Sequence, residues 1–201
     1  MAHWNMPMDD RQEALNAEAT ELLSAVTAGN RDGMDRLFGL VYEKLRDMAQ
    51  HQLAKESSAH TLSPTALAHE AYLKLIDHDQ MDIQGRTHFI ALAATAMRRL
   101  LVDHARTKQR VKRGGGRTPS EFDDQIAVFE EEKTVDVLTL EEALKKLVEK
   151  SERVAKVAEL RLFGGLQIDE IAEALGVSSG TIDNDWAAAR AWLKRELTDK
   201  P

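Results

Sequence analysis

Gly176 separates two short runs of helical apolar spacing, and that arrangement constrains the chain more than any other feature. In the segment from Leu162 to Leu193, LFGGLQIDEIAEALGVSSGTIDNDWAAARAWL, the residues Ile168, Ile171, Ala172 and Leu175 form one apolar stripe. Gly176 then supplies a turn that a residue without a side chain tolerates best. Val177 packs the turn, and Ser178 is a natural N-cap for a second helix with Ile182, Trp186 and Ala189 on its inner face. The pattern predicts a helix-turn-helix followed by a long recognition helix, a unit that lays its second helix in the DNA major groove. That helix opens Thr181-Ile182-Asp183-Asn184-Asp185. Its carboxylates suit the positive end of a helix dipole but repel phosphate. A plain helical hairpin inside a bundle satisfies the same spacing, so the pattern leaves both readings open.

Charge distribution separates one stretch from the rest. The chain is acidic, with a formal net charge of -7 over 201 residues. Residues 83 to 117 nevertheless carry 9 basic and 1 acidic side chains, a local balance of +8. Arg99, Arg106 and Arg110 recur there on one helical face, with Asp103 as the expected partner of Arg99. Arg98, Lys108, Lys112 and Arg113 widen the patch. Gly114, Gly115, Gly116 and Arg117 follow, where a bare backbone can approach phosphate. A concentrated basic segment in an acidic protein is an electrostatic footprint for nucleic acid.

Few prolines and many Ala, Leu, Glu and Arg residues predict an all-α chain. The expected organisation is two small helical domains joined by a flexible linker. Residues 1–17 are read as a disordered tail, 18–113 as the first domain, 114–135 as an acidic linker without periodicity, and 136–198 as the second domain, which holds the helix-turn-helix. Within the first domain, helices are expected over Glu18 to Ala28, Asp32 to Ala54, Pro64 to Asp77 and Thr87 to Lys112. Ser63-Pro64 is a cap followed by proline at the first helical position. On that helix Leu67, Ala68, Ala71, Tyr72, Leu75 and Ile76 face the core. His69, Glu70, Leu73, Lys74 and Asp77 face outward. Leu73 is an apolar residue among charged ones, a pattern that marks a protein contact.

Several function classes fall away. There is no cysteine, which excludes zinc fingers and disulfide scaffolds and fits a reducing, cytoplasmic location. No run is long and apolar enough for membrane insertion, and the first residues lack a signal pattern. His51, His60, His69 and His78 recur every nine residues, which is no helical ligand spacing. Neither a nucleophile triad nor a phosphate-cradling fingerprint is present, so no catalytic residue, metal or cofactor is expected.

Three motifs occur in order: SPTALAHEAYLKLID, GRTHFIALAATAMRRLLVDHARTKQRVKRGGGR and ELRLFGGLQIDEIAEALGVSSGTIDNDWAAARAWLKREL. Together they resemble a bacterial RNA polymerase sigma factor of the extracytoplasmic-function (ECF) group over about residues 18 to 197. The nearest likeness is an ECF-like subgroup, matched in part at His104 to Arg106 and Gly114 to Gly116.

The resemblance implies a sigma factor without catalysis of its own, which directs RNA polymerase to promoters and assists promoter opening. Domain 18–113 would be sigma domain 2, holding the polymerase core enzyme through His69, Glu70, Leu73, Lys74 and Asp77. Its basic helix would grip promoter DNA upstream of the −10 element through Arg98, Arg99, Arg106, Lys108, Arg110, Lys112 and Arg113. The loop Ile83 to His88 would capture a flipped base through Gln84, Arg86, Thr87 and His88. Domain 136–198 would be sigma domain 4, reading the −35 element with Ser179, Thr181, Asp183, Asn184 and Arg190. An anti-sigma factor is a further implied partner. The family's recognition helix usually carries basic residues where this chain has Asp183 and Asn184. That departure keeps an alternative open: a sigma-like adaptor that binds polymerase or an anti-sigma partner and reads little DNA.

Overall fold

The computed structural model describes residues 17–18, 21–22, 34–53, 62–76, 85–114, 125–127 and 134–198. Among these residues, seven helices carry almost all of the backbone. They are α1 (Met34–Leu53), α2 (Pro64–Ile76), α3 (Arg86–Gly114), α4 (Val137–Lys150), α5 (Glu152–Leu162), α6 (Ile168–Leu175) and α7 (Ser179–Thr198). Residues 18 and 21–22 are also helical, inside the expected Glu18 to Ala28 helix, and Ala17, expected in the disordered tail, is helical as well; the rest of that helix and of the tail lies outside the described residues. The all-α expectation holds. Two three-residue strands, β1 (Gln125–Ala127) and β2 (Thr134–Asp136), pair antiparallel with Ile126 opposite Val135. β1 and all of β2 but Asp136 fall within the expected linker, where the sequence shows neither alternation nor a turn signal that would announce them.

Local chemistry sets the helix ends. Ser63 Oγ accepts a hydrogen bond from Ala66 N at 3.1 Å and caps α2. Asp136 caps α4 by accepting from Thr139 N at 2.9 Å. Ser151 serves two helices. Its extended backbone stops α4 while its N–H still donates to Leu147 O, and its hydroxyl accepts from Val154 N to start α5. α3 begins one residue earlier than expected, at Arg86, and runs two residues past the expected Lys112 to Gly114.

Packing then joins the two halves of the chain. α3 has 29 residues, which makes it about 43 Å long. Ala91, Ala93, Ala94 and Ala96 are all buried on it, and small side chains let neighbours approach from more than one side. α1 and α2 pack on it from the N-terminal half, and α4, α5 and α6 from the C-terminal half. Buried residues of both halves, from Val41 to Leu193, form one continuous apolar cluster. Gly164 marks a close approach between the halves. A Cβ there would lie 2.5 Å from Leu160 O and 3.1 Å from the Ala94 Cβ across the boundary. Beside it, Gln52 of α1 donates to the Phe163 carbonyl and reaches Met97 Sδ at 3.8 Å.

Candidate nucleic-acid and polymerase interface

The basic helix sorts its arginines by face. Arg99, Arg106 and Arg110 are exposed, on the side away from Met97, Leu101 and Ala105. Lys108 is half-buried; the side chains of Lys112 and Arg113 lie outside the described set. Asp103 pairs with Arg106 at 3.7 Å, not with Arg99 as the sequence spacing suggests. Both separations are allowed on a helix, and i,i+3 is the one realised.

Arg98 turns the other way. Its Nε and Nη2 donate to Glu141 Oε2 at 2.8 and 2.7 Å, and its Nη1 donates to Glu159 Oε1 at 2.8 Å. The arginine side chain is 19% exposed, and those of Glu141 and Glu159 are 10% and 6%. Lys156 closes the network, donating to Glu159 Oε2 at 3.0 Å and to Thr95 Oγ1 at 2.6 Å. Burial opposes the charge on Arg98, but Glu159 and Glu141 outweigh it and raise its pKa. Burial likewise pushes the Glu159 carboxyl up, and Lys156 and Arg98 overcome this to hold it below the ordinary carboxylate range.

The start of α3 is also turned toward the C-terminal half. Thr87 is buried, His88 is half-buried, and Gln84 lies outside the described residues. Arg86 is half-buried; burial lowers its pKa against the attraction of Glu170 and Glu173 on α6. Glu170 also faces Lys44 of α1 at 3.4 Å and accepts from Gln167 N at 2.7 Å.

The helix-turn-helix has the expected geometry. Gly176 adopts φ 65°, ψ 35°, the left-handed region where a Cβ costs most. Val177 N donates to Ala172 O and Gly176 N to Glu173 O, the paired bonds that close a helix C-terminus. Ser178 caps α7, accepting from Thr181 N at 3.3 Å. Ile182, Ala189 and Leu193 are buried along its inner face. Ser179 Oγ donates to Asp169 Oδ1 at 2.5 Å, and the Thr181 hydroxyl lies 2.9 Å from that of Ser178. Asp183, Asn184 and Arg190 are exposed. Asp185 points inward: Arg153 of α5 holds it through Nε to Oδ2 at 2.6 Å and Nη2 to Oδ1 at 3.2 Å. The outward surface of α7 is therefore one carboxylate less acidic than the sequence reads.

On α2, His69, Glu70, Leu73 and Lys74 share an exposed face; Asp77 lies outside the described residues. Leu73 is 46% exposed, one of two exposed large hydrophobics among the described residues. The ring of His69 stands edge-on to Phe38 with centroids 6.0 Å apart.

Residues 16–199 match the family described as ECF sigma factor. The chain belongs to that family. No curated protein matches it. As an ECF sigma factor it acts in transcription initiation, with RNA polymerase and promoter DNA as partners, in a family of non-enzymatic transcription regulators. Among the described residues no helix is long and apolar enough to cross a membrane.

Sequence reasoning misses the residues that hold this sigma factor's halves and helices in place. Glu141 stands between Leu140 and Leu144 on the buried stripe of α4, and Glu159 between Ala158 and Leu162 on that of α5. A carboxylate on an apolar stripe is a signal for a buried cation partner. Arg161 is a third case. Its Nη1 donates to Leu166 O at 2.6 Å, and its guanidinium lies 5.4 Å from the centre of the Trp186 ring, tying the turn before α6 to α7.

Proposed function

We propose that this sigma factor engages its partners through three separate surfaces. Residues 18–113 act as sigma domain 2 and 136–198 as sigma domain 4, with 114–135 between them. The α2 face of His69, Glu70, Leu73 and Lys74, with Asp77, docks on the polymerase core enzyme. Arg99, Arg106 and Arg110 contact promoter phosphates near the −10 element, with Lys108, Lys112 and Arg113 flanking them, while Arg98 is held inward by Glu141 and Glu159. The segment Gln84 to His88 holds an extruded base during promoter opening. α7 lies in the major groove of the −35 element, presenting Asp183, Asn184 and Arg190, with Ser179 and Thr181 at its start. The observation that supports this reading best is the exposed arginine row on α3, set apart from the exposed Leu73 face on α2. Run-off transcription with core polymerase on a promoter pool tests it. Leu73→Glu is expected to weaken core binding by about tenfold or more while leaving circular dichroism unchanged. Equal retention of variant and parent on core would rule this surface out.

A second reading is a sigma-like adaptor, bound to polymerase or an anti-sigma factor, that reads little DNA. The exposed Asp183 on α7 favours it, because a carboxylate near phosphate only repels. A cytosine amino group would reverse that sign, since Asp accepts from cytosine N4. Run-off output that ignores every −35 substitution would select the adaptor reading.

A further inference from the structure

The fold leaves the Asp183 carboxylate unpaired. Asp185, two residues on, is held by Arg153, and Asp169 on α6 accepts from Ser179. Asp183 is exposed, and its side chain makes neither a hydrogen bond nor an ion pair with any described residue. Its neighbours three and four positions away along α7 are Ser179, Gly180, Trp186 and Ala187, none of them a cation. It is the fifth residue of α7, past the first turn in which the helix dipole favours a negative charge. Helix stability therefore gains nothing from this aspartate.

The surface around it divides α7 in two. Gly180, Ala187 and Ala188 are exposed on the same side as Asp183 and Asn184, and a Cβ at Gly180 would meet open space. With neighbours this short, the helix can sit deep enough in a groove for an aspartate to reach a base edge. The long cations Arg190, Lys194 and Arg195 are exposed as well, beginning about 10 Å further along the axis, where they suit flanking phosphates.

We propose that Asp183 is a specificity-determining residue, accepting a hydrogen bond from the N4 amino group of one cytosine in the −35 element. This rests on the reading of α7 as the helix in the −35 major groove. There guanine shows the acceptors N7 and O6, and thymine the acceptor O4, all of which repel a carboxylate. Adenine offers its N6 amino group, but acceptors flank it on both sides, its own N7 and the O4 of its partner. Cytosine N4 has an acceptor on one side alone. The order of preference at that position is therefore cytosine, then adenine, then thymine and guanine. Elsewhere the carboxylate meets phosphate with no compensating donor, so it also weakens binding to wrong sequences.

The test is run-off transcription by the full-length protein with core polymerase, on a promoter recovered from a pool. Its −35 element is randomised, and each template is barcoded in the transcribed region. One position is expected to favour cytosine over guanine by about tenfold. Asp183→Ala is expected to flatten that position alone, and Asp183→Asn to move its preference to adenine, which asparagine meets through N6 and N7. Both variants are expected to keep the circular dichroism of the parent and to bind random duplex severalfold more tightly, since a repelling charge is gone. A −35 preference that both variants leave unchanged overturns the assignment while keeping α7 in the groove. So does a change spread over every −35 position, which would make Asp183 a determinant of docking and not of one base. Parent output that ignores all −35 changes overturns the reading of α7 itself, and the assignment with it.

Discussion

The basic helix α3 and α7, the second helix of the helix-turn-helix, handle charge in the same way with opposite signs. On α3, Arg98 is turned inward and neutralised by Glu141 and Glu159, while Arg99, Arg106 and Arg110 stay outside. On α7, Asp185 is turned inward and neutralised by Arg153, while Asp183 and Arg190 stay outside. The charge a helix shows on its surface is therefore not the charge its sequence lists. The two devices differ in depth. Arg98 is shared by two nearly buried carboxylates across the boundary between halves, whereas Arg153 remains 55% exposed within one half. A deep pair couples a helix to the rest of the molecule; a shallow one only trims its surface charge.

Neighbouring substitutions on α3 test that difference most strongly. Arg98→Ala removes the cation shared by two mostly buried carboxylates, leaving only Lys156 on Glu159 and Lys145 on Glu141, and is expected to cost about 3 kcal/mol of stability in urea unfolding. Arg99→Ala, one residue on, is expected to stay within about 0.5 kcal/mol of the parent. Equal losses from both would erase the inward–outward distinction.

The outward row of α3 comes next. Replacing Arg99, Arg106 and Arg110 by Gln is expected to reduce duplex affinity by on the order of tenfold or more. The log–log salt dependence should become shallower by at most about 3, since each lost phosphate contact retains about one counterion. An unchanged salt slope would remove these arginines from the DNA surface.

The gentlest test compares the two carboxylates of α7. Asp183→Lys with Asn184→Arg is expected to raise non-specific duplex affinity severalfold and steepen its salt dependence. Asp185→Asn is expected to leave both unchanged, because that side chain faces Arg153 and not solvent. If the two variants raise affinity alike, Asp185 is reaching the DNA surface after all.

Much of the fold is legible in the amino-acid sequence. Ser63-Pro64, Asp136, Gly176 and Ser178 act within a few residues of themselves, through caps and a left-handed turn, so their signals are local and unambiguous. The stripe Ile90, Ala94, Met97 and Leu101 is buried as its period requires. The exposed set on α2 is readable for the same reason. A local assignment that fails, Asp103 with Arg99, concerns a choice between two sterically equivalent neighbours that a helix by itself does not make.

What the sequence determined by itself was therefore the helices, their caps, the inner and outer face of most of them, and the motifs that carry family membership. What only the tertiary structure decided was where charges at the edge of a face went. Arg98 and Arg99 are adjacent in sequence, and helical spacing assigns both to a basic patch. Their fates diverge because Glu141 and Glu159, 43 and 61 residues away, arrive beside one of them. Asp185 is drawn in by Arg153 from 32 residues away for the same reason. Caps and periodicity are properties of a few consecutive residues, whereas ion pairing between helices depends on which faces packing brings together, and no short window of sequence contains that information.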